Sequence, residues 1–336
     1  MTIIYAILIF CLLIFVHELG HFMVAKACGV KVNEFAIGMG PAFFKKQRGE
    51  TLYALRVFPI GGYCAMEGED EDSEDPRAFN NKPAWQRALV LAAGSFMNLL
   101  TCVVLLIIIA FWAGQASTTI DQVTPDSPAY EAGIQSGDTI VAIDGRKIDN
   151  WDDLIEGIGY SKEKTAEVTV ERDGSELTLT TELEYNKEQK RNMIGITPVM
   201  ERHFFASFGA GIRNTGNMTV MMYDVLRQLL TGDVSVKELS GPVGIVYAVN
   251  ETAKSGAMYV VYLAALLSLN LAIINMLPLP ALDGGRLLFL VIRKITGRRV
   301  TDEMEGRIHF IGIMLLMLLM VYVTFNDVIK YVIPIF

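Results

Sequence analysis

The stretch whose reading decides the fold is Thr2 to Ala25, TIIYAILIFCLLIFVHELGHFMVA. As a helix rising 1.5 Å per residue it extends about 36 Å, enough to cross the roughly 30 Å hydrocarbon layer of a bilayer. Apart from Thr2 and Tyr5 it is apolar, until His17-Glu18-Leu19-Gly20-His21 interrupts it. Two imidazoles and a carboxylate at that depth are costly, and ionisable groups inside a span mark function. His17 and His21 are one helical turn apart and share a face, so both rings can reach one ion. Glu18 lies about 100° around the helix from His17, beside such an ion without being a ligand. The pattern predicts a zinc hydrolase site within a membrane span, with His17 and His21 on the metal and Glu18 acting on a bound water.

The remaining composition agrees. Of 336 residues, 52% are hydrophobic, and mean hydropathy is +0.37. Long uncharged runs flank a polar middle. A formal net charge of -8, with no basic stripe carrying interleaved aromatics, argues against nucleic acid as a partner. Cys11, Cys28, Cys64 and Cys102 form no CxxC pair and read as packing residues. The N-terminus lacks a basic n-region and a small-residue cleavage pattern, so the first span is expected to be retained.

Four spans are predicted: Thr2 to about Ala25, Ala88 to Gly114, Ala257 to about Ile292, and Ile308 to Phe325. The third would be about 54 Å long as one helix. It carries Asn275, Pro278, Pro280, Asp283 and Arg286, so it reads as a broken span lining a cavity or buried in protein. Arg293, Lys294, Arg298, Arg299 and Arg307 crowd the connection to the fourth span, which the positive-inside rule puts in the cytoplasm. Both termini and the polar middle are then extracytoplasmic. The two histidines and Asp283 fall near the same, cytoplasmic leaflet.

Between the first two spans, FAIGMGP (35–41) and LYALRVFPIGGYCAM (52–66) suggest strands and tight turns, with a surface sheet or a membrane-dipping hairpin as the two readings. The acids Glu67, Glu69, Asp70, Glu71, Asp72, Glu74 and Asp75 read as a solvated loop. In the polar middle, Thr118–Thr124 and Thr139–Ile143 read as strands and Asn150–Ile158 as a capped helix. Ala166–Thr181 reads as a hairpin turning at Asp173-Gly174. From His203 to Lys254 an amphipathic segment carries Met218, Met221, Met222, Val225, Leu226, Leu229 and Leu230 at helical spacing. The divisions expected are 1–114, 115–200, 201–256 and 257–336.

A hydrolytic zinc takes three protein ligands and an open position. Beyond His17 and His21 the candidates are Asp283, His309 and His203. Asp283 is preferred because Pro278 and Pro280 unwind the backbone before it and Gly284-Gly285 let the chain approach an ion. His309 sits beside Arg307 at the start of the fourth span, where an interfacial anchor is the alternative role. His203 is expected outside and at the wrong depth.

Ser127-Pro128-Ala129, Ala132-Gly133-Ile134, Gly137-Asp138 and Asp144-Gly145 together resemble a PDZ domain of the circularly permuted bacterial kind. The resemblance makes Met193-Ile194-Gly195-Ile196 the loop that receives a peptide carboxylate, and peptide C-termini its partners. Taken with HELGH, FAIGMGP, FPIGGY, Gly94-xxx-Asn98 and NMLPLPALDGGR, nearly the whole chain resembles the site-2 proteases, the intramembrane zinc metalloproteases, in their branch with a PDZ domain. This chain shows one PDZ domain where some relatives have two. The resemblance implies a polytopic α-helical membrane protein with four transmembrane segments, a cytoplasmic membrane-associated β-hairpin region and an inserted extracytoplasmic PDZ domain. It implies Zn2+ held by His17, His21 and Asp283, with Glu18 as catalytic acid/base. Asn275 would contact substrate, with Gly61, Gly62 and Tyr63 in the hairpin. Substrates would be single-span membrane proteins already cut outside, such as anti-sigma factors or signal-peptide remnants. Two alternatives are a non-enzymatic PDZ scaffold with structural zinc and a metal transporter. Only three ligands at matching depth disfavour the first, and the absence of paired repeats the second.

Overall fold

The computed structural model describes residues 2–69, 73–235, 238–296 and 302–333. Asp70, Glu71, Asp72, Arg298 and Arg299, singled out above, lie outside the described residues. The chain divides into two units, Met1–Ile109 with Gly211–Phe336, and Ala110–Ala210. The first begins with α1 (Thr2–Ala27), followed by β1 (Val32–Arg48), β2 (Thr51–Met66) and the long α2 (Ala84–Ala113).

The β1–β2 ribbon is curled. Phe35 pairs with both Cys64 and Tyr53, and Ala36 with both Tyr63 and Ala54, so the first stretch of β1 is contacted along both edges. Gly38 and Gly40 make this fold-back possible, at φ +84° and +82°. A Cβ on Gly38 would sit 2.5 Å from the Phe58 carbonyl oxygen. One end packs on α1 and α2 through Val32, Phe35, Cys64, Met66, Ala25 and Val90. The other end leaves Phe43, Phe44, Val57 and Phe58 exposed.

Glu67, Glu69 and Asp75 of the acidic stretch after β2 are paired rather than simply solvated. Glu67 accepts from Ser73 Oγ (2.7 Å), Asn33 Nδ2 (2.9 Å) and Lys31 Nζ (3.2 Å), which hold its carboxyl down at about 2. Asp75 pairs with Lys31, and Glu69 with Arg286. Positive partners on either side of the run draw it in.

The second unit contains β3 (Gln115–Val123), α3 (Pro128–Glu131), β4 (Thr139–Ile143), β5 (Arg146–Lys147), α4 (Trp151–Gly159), β6 (Thr165–Arg172), β7 (Ser175–Glu182), β8 (Glu184–Asn186), β9 (Arg191–Met193) and β10 (Ile196–Glu201). Its sheet runs β10-β3-β4-β6-β7, with β5 on β4 and a separate β8–β9 ribbon. Asn150 caps α4, its Oδ1 accepting the Asp153 N–H at 3.0 Å. The helix lays Leu154 and Ile158 on Ile120, Ile140, Val168 and Val170, side chains directed inward from three strands. Asp138 is buried, with Arg172 Nε and an Arg172 terminal nitrogen each 2.7 Å away and the Gln135 N–H at 2.8 Å. Burial pushes its carboxyl up, but these donors outweigh it and the group titrates below the usual aspartate range.

The first unit resumes within α5 (Phe204–Thr231) and continues with α6 (Pro242–Ser255), α7 (Ala257–Asn275), α8 (Asp283–Thr296) and α9 (Asp302–Asp327), the last followed by a π-helical turn, Val328–Val332. Among the described residues, four helices are long and apolar enough to cross a membrane: Ile4–Ala27, Ala84–Ala113, Ala257–Asn275 and Met304–Tyr331. The third apolar run is broken, ending as a helix at Asn275 and restarting at Asp283. α5 packs through Met218 on Cys102 and Leu106 of α2 and on Ala265 and Leu269 of α7. α1, α6 and α7 meet at Ala6, Leu13, Val249 and Ala264. Buried Asp327, ending α9, accepts the backbone N–H groups of Gly241 (2.9 Å) and Gly244 (2.7 Å) where α6 begins. Phe310, Leu315, Leu318 and Phe325 of α9 stay mostly exposed, a surface suited to lipid.

Candidate metal centre

α1 and α2 approach closely because each offers a glycine at the contact. A Cβ on Gly20 would lie 2.4 Å from the Ala93 carbonyl oxygen. One on Gly94 would lie 2.4 Å from His21 Nε2 and 2.6 Å from His17 Cε1. The two imidazoles therefore rest over Gly94 in space that any side chain would fill. Glu18 follows His17 around the helix towards β2, where a Cβ on Gly62 would come 3.4 Å from Glu18 Cγ.

Asp283 reaches the same point from the other half of the chain. Its Oδ2 is 3.3 Å from His17 Nε2 and 3.4 Å from His21 Nε2, and the two Nε2 atoms are 3.2 Å apart. Among the described residues these three form the one cluster able to hold a metal ion. The prolines and glycines of the break make this approach possible. Cβ atoms on Gly284 and Gly285 would come within 2.4 Å of the Met276 and Leu277 oxygens and 2.2 Å of the Leu279 oxygen.

Zinc fits this donor set. Ligands about 2.0–2.1 Å from a tetrahedral zinc stand roughly 3.3–3.4 Å apart, the spacing seen here. His21 Nδ1–H donates to the Val90 carbonyl at 2.8 Å, which leaves Nε2 with a lone pair facing the centre. The Asn98 amide lies 3.3 Å from His17 Nδ1. Turned with Oδ1 to the ring, it accepts Nδ1–H, satisfies an oxygen otherwise buried without a partner and gives His17 the same tautomer. Asp283 Oδ2 is likewise buried with no hydrogen-bond donor. Two lone pairs and a carboxylate oxygen converging this closely call for a cation between them.

The other candidates fall elsewhere. His309 Nδ1 accepts the Ala281 N–H at 2.8 Å, and His203 pairs with Glu201 at 2.7 Å. Asn275 Nδ2 is 3.5 Å from His17 Nε2, so this side chain borders the cluster. A cavity of about 400 Å³ opens on the cluster, lined in part by Glu18, Tyr63, Cys64, Glu69, Asp283 and Arg286. Arg286 and Glu69 pair across it at 2.6 Å. Tyr63 is held by Arg56, which also binds Glu34 at 2.5 Å. Gly61 faces Met39 instead. In the second unit, Met193, Ile194, Gly195 and Ile196 line a separate cleft with Trp151, Leu154 and Ile158. Sequence reasoning missed the Val90 carbonyl, which carries no side-chain signal, and the Glu69–Arg286 pair. Acids after β2 and a basic residue one turn past Asp283 were the available hint of the latter.

Two histidines on one apolar helix, a carboxylate where the broken apolar run restarts and a cavity beside them are an arrangement able to hold a metal ion, as a membrane metallohydrolase requires. The chain belongs to peptidase family M50, whose family model matches residues 5–319. It is accordingly a zinc metalloprotease of the site-2 type. It is 39% identical to a Clostridium acetobutylicum relative bearing a zinc-metalloprotease name, over 98% of this chain and 97% of that one. It is 32% identical to the regulator of sigma-W protease RasP of Bacillus subtilis, over 97% of this chain and 98% of the relative. Zinc metalloprotease RasP of Geobacillus kaustophilus is also 32% identical, over 98% of each chain. Among solved structures, a PDZ domain of an SdrC-like protein from Listeria innocua aligns with 26% of this chain and 99% of its own length, at 21% identity and a TM-score of 0.23.

Proposed function

We propose that His17, His21 and Asp283 hold the zinc, and that Glu18 is the acid/base for hydrolysis of peptide bonds within transmembrane segments of substrate proteins. The observation that carries the reading is the triangle of Nε2, Nε2 and Oδ2 atoms 3.2–3.4 Å on a side, built on a helix long enough to span a bilayer. Zinc held there supplies a Lewis acid for the scissile carbonyl and lowers the pKa of water. Glu18, on the wall of the cavity, takes a proton from the attacking water at its carboxylate and returns it to the leaving amine. Asn275 lies beside His17 and is suited to hold the substrate backbone near the cluster. A substrate helix hides its carbonyls in its own hydrogen bonds, so it must unwind. The β1–β2 ribbon, with Gly61, Gly62 and Tyr63, offers a strand edge to the unwound stretch.

The second unit acts as an extracytoplasmic PDZ domain in this proposal. The cleft between α4 and Met193–Ile196 takes the new C-terminus of a substrate already cut outside. With both termini outside, the metal centre faces the cytoplasmic leaflet, as the basic residues between α8 and α9 favour. The name of the Bacillus subtilis relative makes an anti-sigma factor one fitting substrate class, with signal-peptide remnants the other.

Glu18→Gln is the decisive variant. It is expected to retain zinc in stoichiometric amount yet leave a single-span test substrate uncut in vesicles. Cleavage at the wild-type rate by this variant removes Glu18 from the chemistry.

A further inference from the structure

The seven residues from Met276 to Leu282 must carry Asp283 to two imidazoles on another helix, and their internal backbone bonds are short-range turns, including Leu282 N–H to the Leu279 oxygen at 3.3 Å. Leu279 N–H bonds only as far back as the Leu277 oxygen (2.7 Å), and Ala281 sits at φ +72°. That left-handed conformation is one an L side chain adopts reluctantly, so something must hold it. The support comes from α9. His309 Nδ1 accepts the Ala281 N–H at 2.8 Å. One turn further on, Gly312 lies so close that a Cβ would be 2.4 Å from Pro280 Cβ. The His309 ring is itself fixed. Phe289 of α8 lies against it with centroids 5.6 Å apart, and the Glu305 carboxylate is 3.7 Å from Nε2 while also binding Arg293 at 2.5 Å. Since Nδ1 accepts from a backbone amide, the ring proton belongs on Nε2, towards Glu305.

We propose that His309 is a positioning residue for the metal site. By accepting the Ala281 N–H it locks the left-handed residue two places before Asp283 and thereby sets the approach of the carboxylate to His17 and His21. The inference rests on the reading of Asp283 as a zinc ligand, and Asp283→Ala run in parallel separates the two. The measurement is zinc retention by the purified full-length protein in detergent, in competition with a chromogenic chelator. His309→Asn keeps an acceptor at the level of Nδ1, whereas His309→Gln moves its amide out to the level of Nε2.

His309→Gln is expected to lose about tenfold in zinc affinity, the lower end for outer partners of a metal site. His309→Asn stays near wild type. Adding Ala281→Gly to His309→Gln recovers part of the loss, because glycine adopts positive φ without strain. If Gln and Asn variants behave alike, or Ala281→Gly recovers nothing, His309 merely packs and the proposal is overturned. If Asp283→Ala itself retains zinc like wild type, the ligand reading fails first.

Discussion

Gly94→Ala tests the metal centre at its tightest point. The added Cβ would stand 2.4 Å from His21 Nε2 and 2.6 and 2.8 Å from His17 Cε1 and Nδ1, against ordinary contact at 3.4 Å or more. Relief requires the rings to retreat by about 1 Å, because moving α1 away from α2 instead would open the close packing of Gly20 on Ala93. A metal site tolerates ligand shifts of about 0.2 Å, so a movement several times larger should lower zinc affinity by about 10–100-fold. Misplacement by 1 Å costs on the order of 100-fold in rate, so cleavage should fall at least that far even with zinc in excess. The fold itself should lose only about 1–3 kcal/mol, typical of one extra methyl in a packed interior. Zinc content by mass spectrometry of the metal, thermal stability and cleavage in vesicles separate these effects. A Gly94→Ala protein with stoichiometric zinc and wild-type cleavage would refute the argument that the imidazoles depend on that vacant Cβ position.

The second unit should lose stability in acid through Asp138. Its folded carboxyl titrates below the usual value, so its contribution is complete above about pH 4 and disappears as pH falls through the folded pKa. Amide hydrogen exchange over residues 115–201 of the full chain should show this loss, and Asp138→Asn should flatten it. In the first unit, Asp327→Ala leaves the Gly241 and Gly244 amides without their carboxylate at the start of α6. It should cost about 1–3 kcal/mol, seen as faster exchange at those amides. Unchanged exchange would mean that solvent replaces the carboxylate there.

Much of the membrane-embedded half was legible because its signals are local. An apolar run of 24 residues announces a span, and i, i+4 histidines announce a shared face whatever surrounds them. Pro278 and Pro280 likewise announced the break between α7 and α8. What escaped was whatever depends on two distant backbones meeting. FAIGMGP suggested turns, but nothing in it said that Gly38 and Gly40 would bring one stretch of β1 between two stretches of β2. The acidic run after β2 looked solvated because its partners, Lys31 and Arg286, lie far away in sequence. His309 was weighed as a ligand because a histidine near a span invites that reading. Its contact with the Ala281 amide involves a backbone group with no residue signature.

The distance along the chain between His21 and Asp283 also orders events during biosynthesis. Ribosomes add about 5–20 residues per second, so on the order of 10–50 s separates the emergence of the paired histidines from that of the carboxylate. Throughout that interval the nascent protein holds two of the three side chains proposed to bind the metal. While its own spans are still passing through the insertion machinery, alongside other freshly made membrane proteins, it has no finished cutting edge to turn on them.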